Sequence, residues 1–70
     1  MLSTTKFFVQ WQNAAADFSD GSEPVCLGSN LYQSVERFKL CHAHRRLVAI
    51  TCDFMTNEPT GDMGVELIRV

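Results

Sequence analysis

The sequence predicts a small α+β domain in which one helix packs on one face of a three-stranded, mostly antiparallel sheet. Residues 47–55 form an apolar run rich in β-branched side chains, without glycine or proline, which is typical of a buried strand. Residues 31–45 carry apolar side chains at helical spacing. Strand candidates at 6–12 and 63–70 complete the order β-α-β-β, and residues 1–70 are expected to form one domain.

The first strand and the helix each have a clear pattern. Phe7, Val9 and Trp11 alternate with mostly polar residues, which predicts a half-buried strand. Asn30 can cap the helix. In the long connection between the two elements, residues 25–27 are expected either to tuck into the core or to pair as an edge strand. The helix is expected to present one stripe to the sheet: Leu31, Val35, Phe38 and His42.

Pro59 and Gly61 predict a turn, so the last two strands are expected to form a hairpin. The last strand is apolar on both sides, which predicts that it is central and that the sheet is antiparallel throughout. The alternative is a parallel pairing of the first two strands through a right-handed crossover. The helix would then cover a face composed of Phe7, Val9, Trp11, Val48, Ile50, Cys52, Phe54, Val65 and Leu67.

The opposite face of the sheet is predicted to need a cover, because one helix can protect only one side. A second copy or a partner could bury it, residues 14–27 could fold over it, or a shifted register could exchange the two faces. The predicted partner or dimer face consists of Phe8, Leu47, Met55, Ile68 and Val70.

The charges suggest two kinds of partner. The net charge of -2 argues against a general nucleic-acid binder. The alternative function is nevertheless a small nucleic-acid-binding regulator that uses residues 39–46, with Lys39, His44, Arg45 and Arg46 as phosphate contacts. The acidic residues Asp17, Asp20 and Glu23 could contact a basic partner instead.

The sequence does not predict an enzyme, a metal or a cofactor. Cys41 and His44 could share a helix face as zinc ligands, but no second pair of Cys or His residues supports them. His42 follows Cys41 directly, and adjacent residues on a helix do not face one another. The three cysteines lack a CxxC motif and no apolar run reaches membrane-spanning length, so a cytoplasmic protein without membrane contact is predicted.

In its size and order of elements the chain is similar to small proteins encoded by phages and mobile elements, including anti-CRISPR inhibitors. The similarity rests on residues 6–12, 31–45, 47–55 and 63–70 as a succession of strand, helix, strand and strand. It implies a non-enzymatic protein that docks on a larger host protein or nucleoprotein complex and blocks it. It assigns no individual residue a role.

Overall fold

The structure, a computed structural model, describes residues 2–12, 24–61 and 64–70. These residues form β1 (Ser3–Trp11), β2 (Val25–Gly28), α1 (Leu31–Lys39), β3 (Arg45–Asp53) and β4 (Val65–Arg69). All strand pairs are antiparallel, in the spatial order β2-β1-β3-β4. The α+β class with one helix and an antiparallel sheet is confirmed, whereas three strands and the order β-α-β-β are wrong.

The additional strand, β2, comes from the long connection before the helix. It spans only Val25–Gly28, so its sequence is too short to show a period-two pattern. It pairs with β1, with Phe8 opposite Cys26 and Val9 opposite Val25. Residues 25–27 therefore pair as an edge strand, and Leu27 also packs against the core, while residues 13–23 lie outside the described part of the chain.

The inner strands of the sheet are β1 and β3, so the last strand is not central. β3 pairs with β1 on one side and with β4 on the other. Its side chains are buried on both faces, with Leu47 and Cys52 both 0% exposed. β4 is a sheet edge, since in the described residues nothing pairs with its outer side. The parallel alternative for the first two predicted strands is also wrong, because they are neighbours but antiparallel.

The core lies between α1 and the sheet and is built around Phe7, Val9, Phe38 and Leu47. Residues directly opposite in an antiparallel pair share a face. Val9 lies opposite Leu47, and Phe7 lies opposite Ala49. The helix-facing residues of β3 are therefore Leu47 and Ala49 and not the predicted set of Val48, Ile50, Cys52 and Phe54.

The helix begins where the sequence predicts and ends earlier. The side chain of Asn30 accepts a hydrogen bond from the Gln33 amide at 2.9 Å, so the N-cap is confirmed. The helix ends at Lys39, with Leu40 as its C-cap, and not at residue 45. His44 adopts a positive φ of 64°, after which Arg45 starts β3. Leu31 and His42 are exposed, so the buried stripe consists of Ser34 and Phe38, with Val35 half-buried.

The predicted hairpin between the last two strands is confirmed, with a bulge that the sequence does not show. Leu47 lies opposite Ile68 and Val48 lies opposite Glu66, so Leu67 is an extra residue in β4. Gly64 precedes β4 with a φ of 80°. A Cβ at this position would lie 3.0 Å from Ile50 Cγ1 and 3.1 Å from the Ala49 carbonyl oxygen.

Gly64→Ala is expected to destabilise the domain by about 1–3 kcal/mol, because it combines a left-handed backbone with a steric clash against β3. Gly61→Ala is the matched control, since Gly61 also has a positive φ, of 100°, but nothing lies within 4 Å of its virtual Cβ. Urea unfolding of both variants measures the difference. Equal losses for the two variants would show that the contact with Ile50 is irrelevant.

Candidate interaction surface

Three large apolar side chains are exposed at one end of the sheet, where β1 begins and β3 ends. Leu2 is 73% exposed, Phe54 56% and Met55 83%. The Phe54 amide donates to the Leu2 carbonyl oxygen at 3.2 Å, which joins the two segments. We call Leu2, Phe54 and Met55 the apolar tip. Exposing such side chains in water is unfavourable, so the tip is a candidate contact site.

The turn after β3 holds the tip in a defined conformation. The Asp53 carboxylate accepts hydrogen bonds from the amides of Met55, at 2.8 Å, and Thr56, at 3.1 Å. The Asp53 backbone is also paired, since its amide donates to Glu58 and its carbonyl accepts from Asn57, both at 2.8 Å. This Asx turn forces the chain to reverse at Phe54 and Met55, so both side chains leave the sheet.

The base of this turn is closed by further contacts to β3. Thr60 donates to the Thr51 carbonyl through its amide, at 3.1 Å, and its hydroxyl, at 3.2 Å. Cys52 and Pro59 form an isolated antiparallel bridge. The tip therefore projects from a segment whose backbone is hydrogen-bonded on both sides, which lowers the entropy lost when a partner binds.

The five residues predicted to form a partner or dimer face do not lie together. Leu47 is 0% exposed in the core, and Ile68 packs against the core cluster, so placing them on an open face is wrong. The reason is that the odd-numbered side chains of β3, which include Leu47, face the helix. Phe8 lies on the opposite face beside Val48 and is half-buried. Met55 and Val70 are exposed, but at opposite ends of the sheet.

The face opposite the helix carries a row of polar side chains that crosses three strands. Arg46 donates through Nε to Gln10 Oε1 at 2.7 Å, and its guanidinium lies 3.7 Å from Glu66 Oε1. Glu66 also accepts from Arg69 at 2.9 Å. These contacts link β1, β3 and β4, and they occupy Arg46 within the domain.

The basic residues near the helix end do not form one surface. Arg45 is only 7% exposed, and its guanidinium donates to the carbonyl oxygens of Phe38 and His42. It also lies 4.6 Å above the centre of the Phe38 ring. Lys39 pairs with Glu36 on the exposed side of the helix, at 3.4 Å. Arg45 is thus a structural residue that caps the helix, and Arg46 points to the opposite face of the sheet.

The described residues contain no group of three or more His, Cys, Asp or Glu side chains placed to share a metal ion. Cys41 Sγ lies 3.6 Å from the Arg37 carbonyl oxygen and packs against the core. His44 is exposed and lies beyond the helix end. The two residues therefore do not share a helix face as the zinc hypothesis required. Asp17, Asp20 and Glu23 lie outside the described residues.

Sequence reasoning missed Leu2 and expected Phe54, Val65 and Leu67 beneath the helix, whereas all three are exposed. Val65 does lie on the helix face, opposite Ala49, but the helix does not cover it. A local signal for the tip exists. Asp53 precedes the amides of Met55 and Thr56, and Asp at the first position of a turn commonly bonds the backbone two or three residues on. That pattern predicts that the strand stops at Asp53, which leaves Phe54 outside the sheet.

Comparison with protein-family models, with curated proteins and with solved structures finds no match to this chain. In the described part of the chain, no helix combines the length and the apolar character needed to cross a membrane.

Proposed function

We propose that this chain is a non-enzymatic binding protein that inserts the apolar tip into a cleft on a larger host protein or nucleoprotein complex and blocks it. The observation that carries the proposal is the turn after β3, which holds Phe54 and Met55 outward, 56% and 83% exposed. A structured turn with two large apolar side chains at its apex has the form of a binding element.

The energy available from the tip supports specific binding. Fully burying one large apolar side chain contributes about 1.5–3 kcal/mol. Phe54 and Met55 together can therefore account for several powers of ten in the dissociation constant, since each 1.4 kcal/mol corresponds to about tenfold. The preformed turn reduces the cost of ordering them.

The charge of the surrounding residues suggests the chemistry of the partner. Glu58 is exposed on the same turn, and the whole chain has a net charge of -2. An acidic turn with an apolar apex complements an apolar cleft surrounded by Lys and Arg. Surfaces that bind nucleic acid are rich in Lys and Arg. An inhibitor that covers such a surface would compete with the nucleic acid.

The order of elements that resembled phage-encoded inhibitors is not the observed order. The tip therefore carries the proposal of binding, and the choice of a host complex as the partner comes only from the resemblance. We further propose that the protein acts in the cytoplasm. Cys26, Cys41 and Cys52 are all free, which fits a reducing compartment.

The test is capture of host complexes on immobilised protein, comparing the unchanged chain with Met55→Asp. We expect Met55→Asp to weaken binding of the captured complex roughly 100-fold, because the cleft would have to bury a carboxylate. Leu40→Asp is the matched control: Leu40 is 85% exposed but lies at the helix end, far from the tip in the chain. The captured complex is identified by mass spectrometry and its affinity measured with purified components.

Two outcomes would contradict this proposal. Equal binding by Met55→Asp and the unchanged chain would exclude the tip as the contact. Binding that disappears after nuclease treatment, and that Arg46→Glu abolishes, would favour the nucleic-acid-binding alternative. That binding would then also weaken steeply with increasing salt, as phosphate contacts do.

A further inference from the structure

The outer edge of β4 has the properties of a pairing strand. Val65 is 63% exposed, Leu67 44% and Val70 54%. Residues 65–70 contain neither proline nor lysine, but β4 is short, carries Glu66 and Arg69 and has a bulge at Leu67, and these features limit pairing with an unrelated strand. Val70 exchanges both backbone hydrogen bonds with Arg45, at 2.9 and 3.0 Å. By strand alternation, the backbone N–H and C=O of Arg69 therefore point toward the outer side of β4, away from β3.

The bulge at Leu67 places Glu66 and Arg69 on the same face of the sheet. In a regular strand, residues three apart point to opposite faces. Here Arg69 Nε lies 2.9 Å from Glu66 Oε1, because the extra residue, Leu67, brings both side chains to the same face. The backbone groups of Glu66 consequently point in the same lateral direction as those of Arg69.

We propose that β4 pairs antiparallel with β4 of a second copy, about a two-fold axis between Leu67 and Ile68. This register places Glu66 opposite Arg69 of the second copy and Val65 opposite Val70 of the second copy. Both charged pairs lie on the face opposite the helix, and both valine pairs lie on the helix face. The two four-stranded sheets then join into one continuous sheet.

The sequence of the strand favours a second copy over an unrelated strand. Read in opposite directions, Val65 to Val70 is complementary to itself at every position: valine with valine, glutamate with arginine, leucine with isoleucine. A register centred on Glu66 or on Arg69 would oppose like charges, which is unfavourable. A register centred on Leu67 or Ile68 would place charged residues opposite apolar ones.

The size of this interface implies a weak dimer. A single pair of short strands is smaller than the interfaces of stable complexes. We expect a dissociation constant on the order of 10 µM. The measurement is the mass of the full chain by light scattering and sedimentation, between about 1 µM and about 1 mM. The expected mass rises from 7.9 kDa to twice that value across the series.

Charge reversal identifies the interface. Glu66→Arg makes both positions positive, and Arg69→Glu makes both negative, so each variant alone is expected to dimerise at least about tenfold more weakly. An equimolar mixture of the two variants is expected to recover the dimer, because each opposes the other with complementary charges. Recovery between two different chains cannot arise from the Glu66–Arg69 pair within one chain.

A third variant distinguishes loss of dimerisation from loss of folding. Leu67→Lys places a charge on the exposed edge without removing the ion pair, and circular dichroism checks that each variant stays folded. We expect it to be folded and monomeric across the series. A monomer at all concentrations for the unchanged chain overturns the proposal. So does a dimer that Leu67→Lys leaves intact, or a mixture of the two charge variants that stays monomeric.

Discussion

Leu47→Ala is expected to destabilise the domain by about 2–5 kcal/mol, which is typical of removing a fully buried leucine. Leu47 is 0% exposed and lies in the cluster with Phe7, Val9 and Phe38. The cavity would open between the helix and the central strand, where no side chain from solvent can fill it. A domain of this size has roughly 4–10 kcal/mol of total stability, so much of the population would unfold on mild heating.

Met55→Ala is the matched control for Leu47→Ala. Both positions belong to the face that the sequence assigned to a partner, yet Met55 is 83% exposed. Its substitution is expected to change stability by less than about 0.5 kcal/mol. Urea unfolding monitored by circular dichroism measures both variants. If Leu47→Ala and Met55→Ala both lost little free energy of unfolding, Leu47 would be a surface residue and would not face the helix.

Arg45→Ala is expected to have a comparable effect, a loss of about 2–4 kcal/mol, because it removes two charge-assisted hydrogen bonds at the helix end. The carbonyl of Phe38 would lose a donor that lies 3.1 Å away in a buried site. The stacking of the guanidinium on the Phe38 ring, at 4.6 Å, would disappear as well. Arg45→Lys should recover only part of the loss, since an ammonium group cannot reproduce the planar fork.

Arg46→Ala is the control for this prediction, since Arg46 is the adjacent cation on the opposite face. Its ion pair with Glu66 is partly exposed, with side chains 27% and 35% accessible. Such pairs contribute about 0–1 kcal/mol. Thermal unfolding of Arg45→Ala and Arg46→Ala compares the two losses of stability. Should Arg45→Ala retain full stability while weakening nucleic-acid binding, Arg45 would be a phosphate contact and the structural role assigned to it would be wrong.

Local chemistry in the sequence was sufficient for several elements. The alternation in residues 6–12 identified the first strand and its buried side, Phe7, Val9 and Trp11. Asn30 marked the start of the helix, because a short polar side chain there satisfies a backbone donor. The turn residues between β3 and β4 predicted the hairpin. Each of these features depends on residues close together in the chain.

The sequence could not show which alternating set of β3 side chains faces the helix. Both alternating sets of its side chains are apolar, so burial alone does not distinguish the two faces. In the structure Arg45 donates to the Phe38 carbonyl oxygen and therefore lies on the helix side of β3, and Leu47 and Ala49 follow on that side at a spacing of two. That contact joins a strand to a helix end, which is information of tertiary structure.

The candidate surfaces depend even more on tertiary structure. The sequence placed Met55 on a partner or dimer face, and it placed Phe54, Val65 and Leu67 beneath the helix. The helix packs over β1 and β2, so it leaves β4 uncovered.

The sequence by itself determined the class, the first strand, the helix start and the hairpin, because these follow from periodicity, caps and turns. Strand pairing decides the position of β2, the inner positions of β1 and β3, the bulge at Leu67 and the exposed edge of β4. Strand pairing joins residues far apart in the chain, so only the tertiary structure decided them.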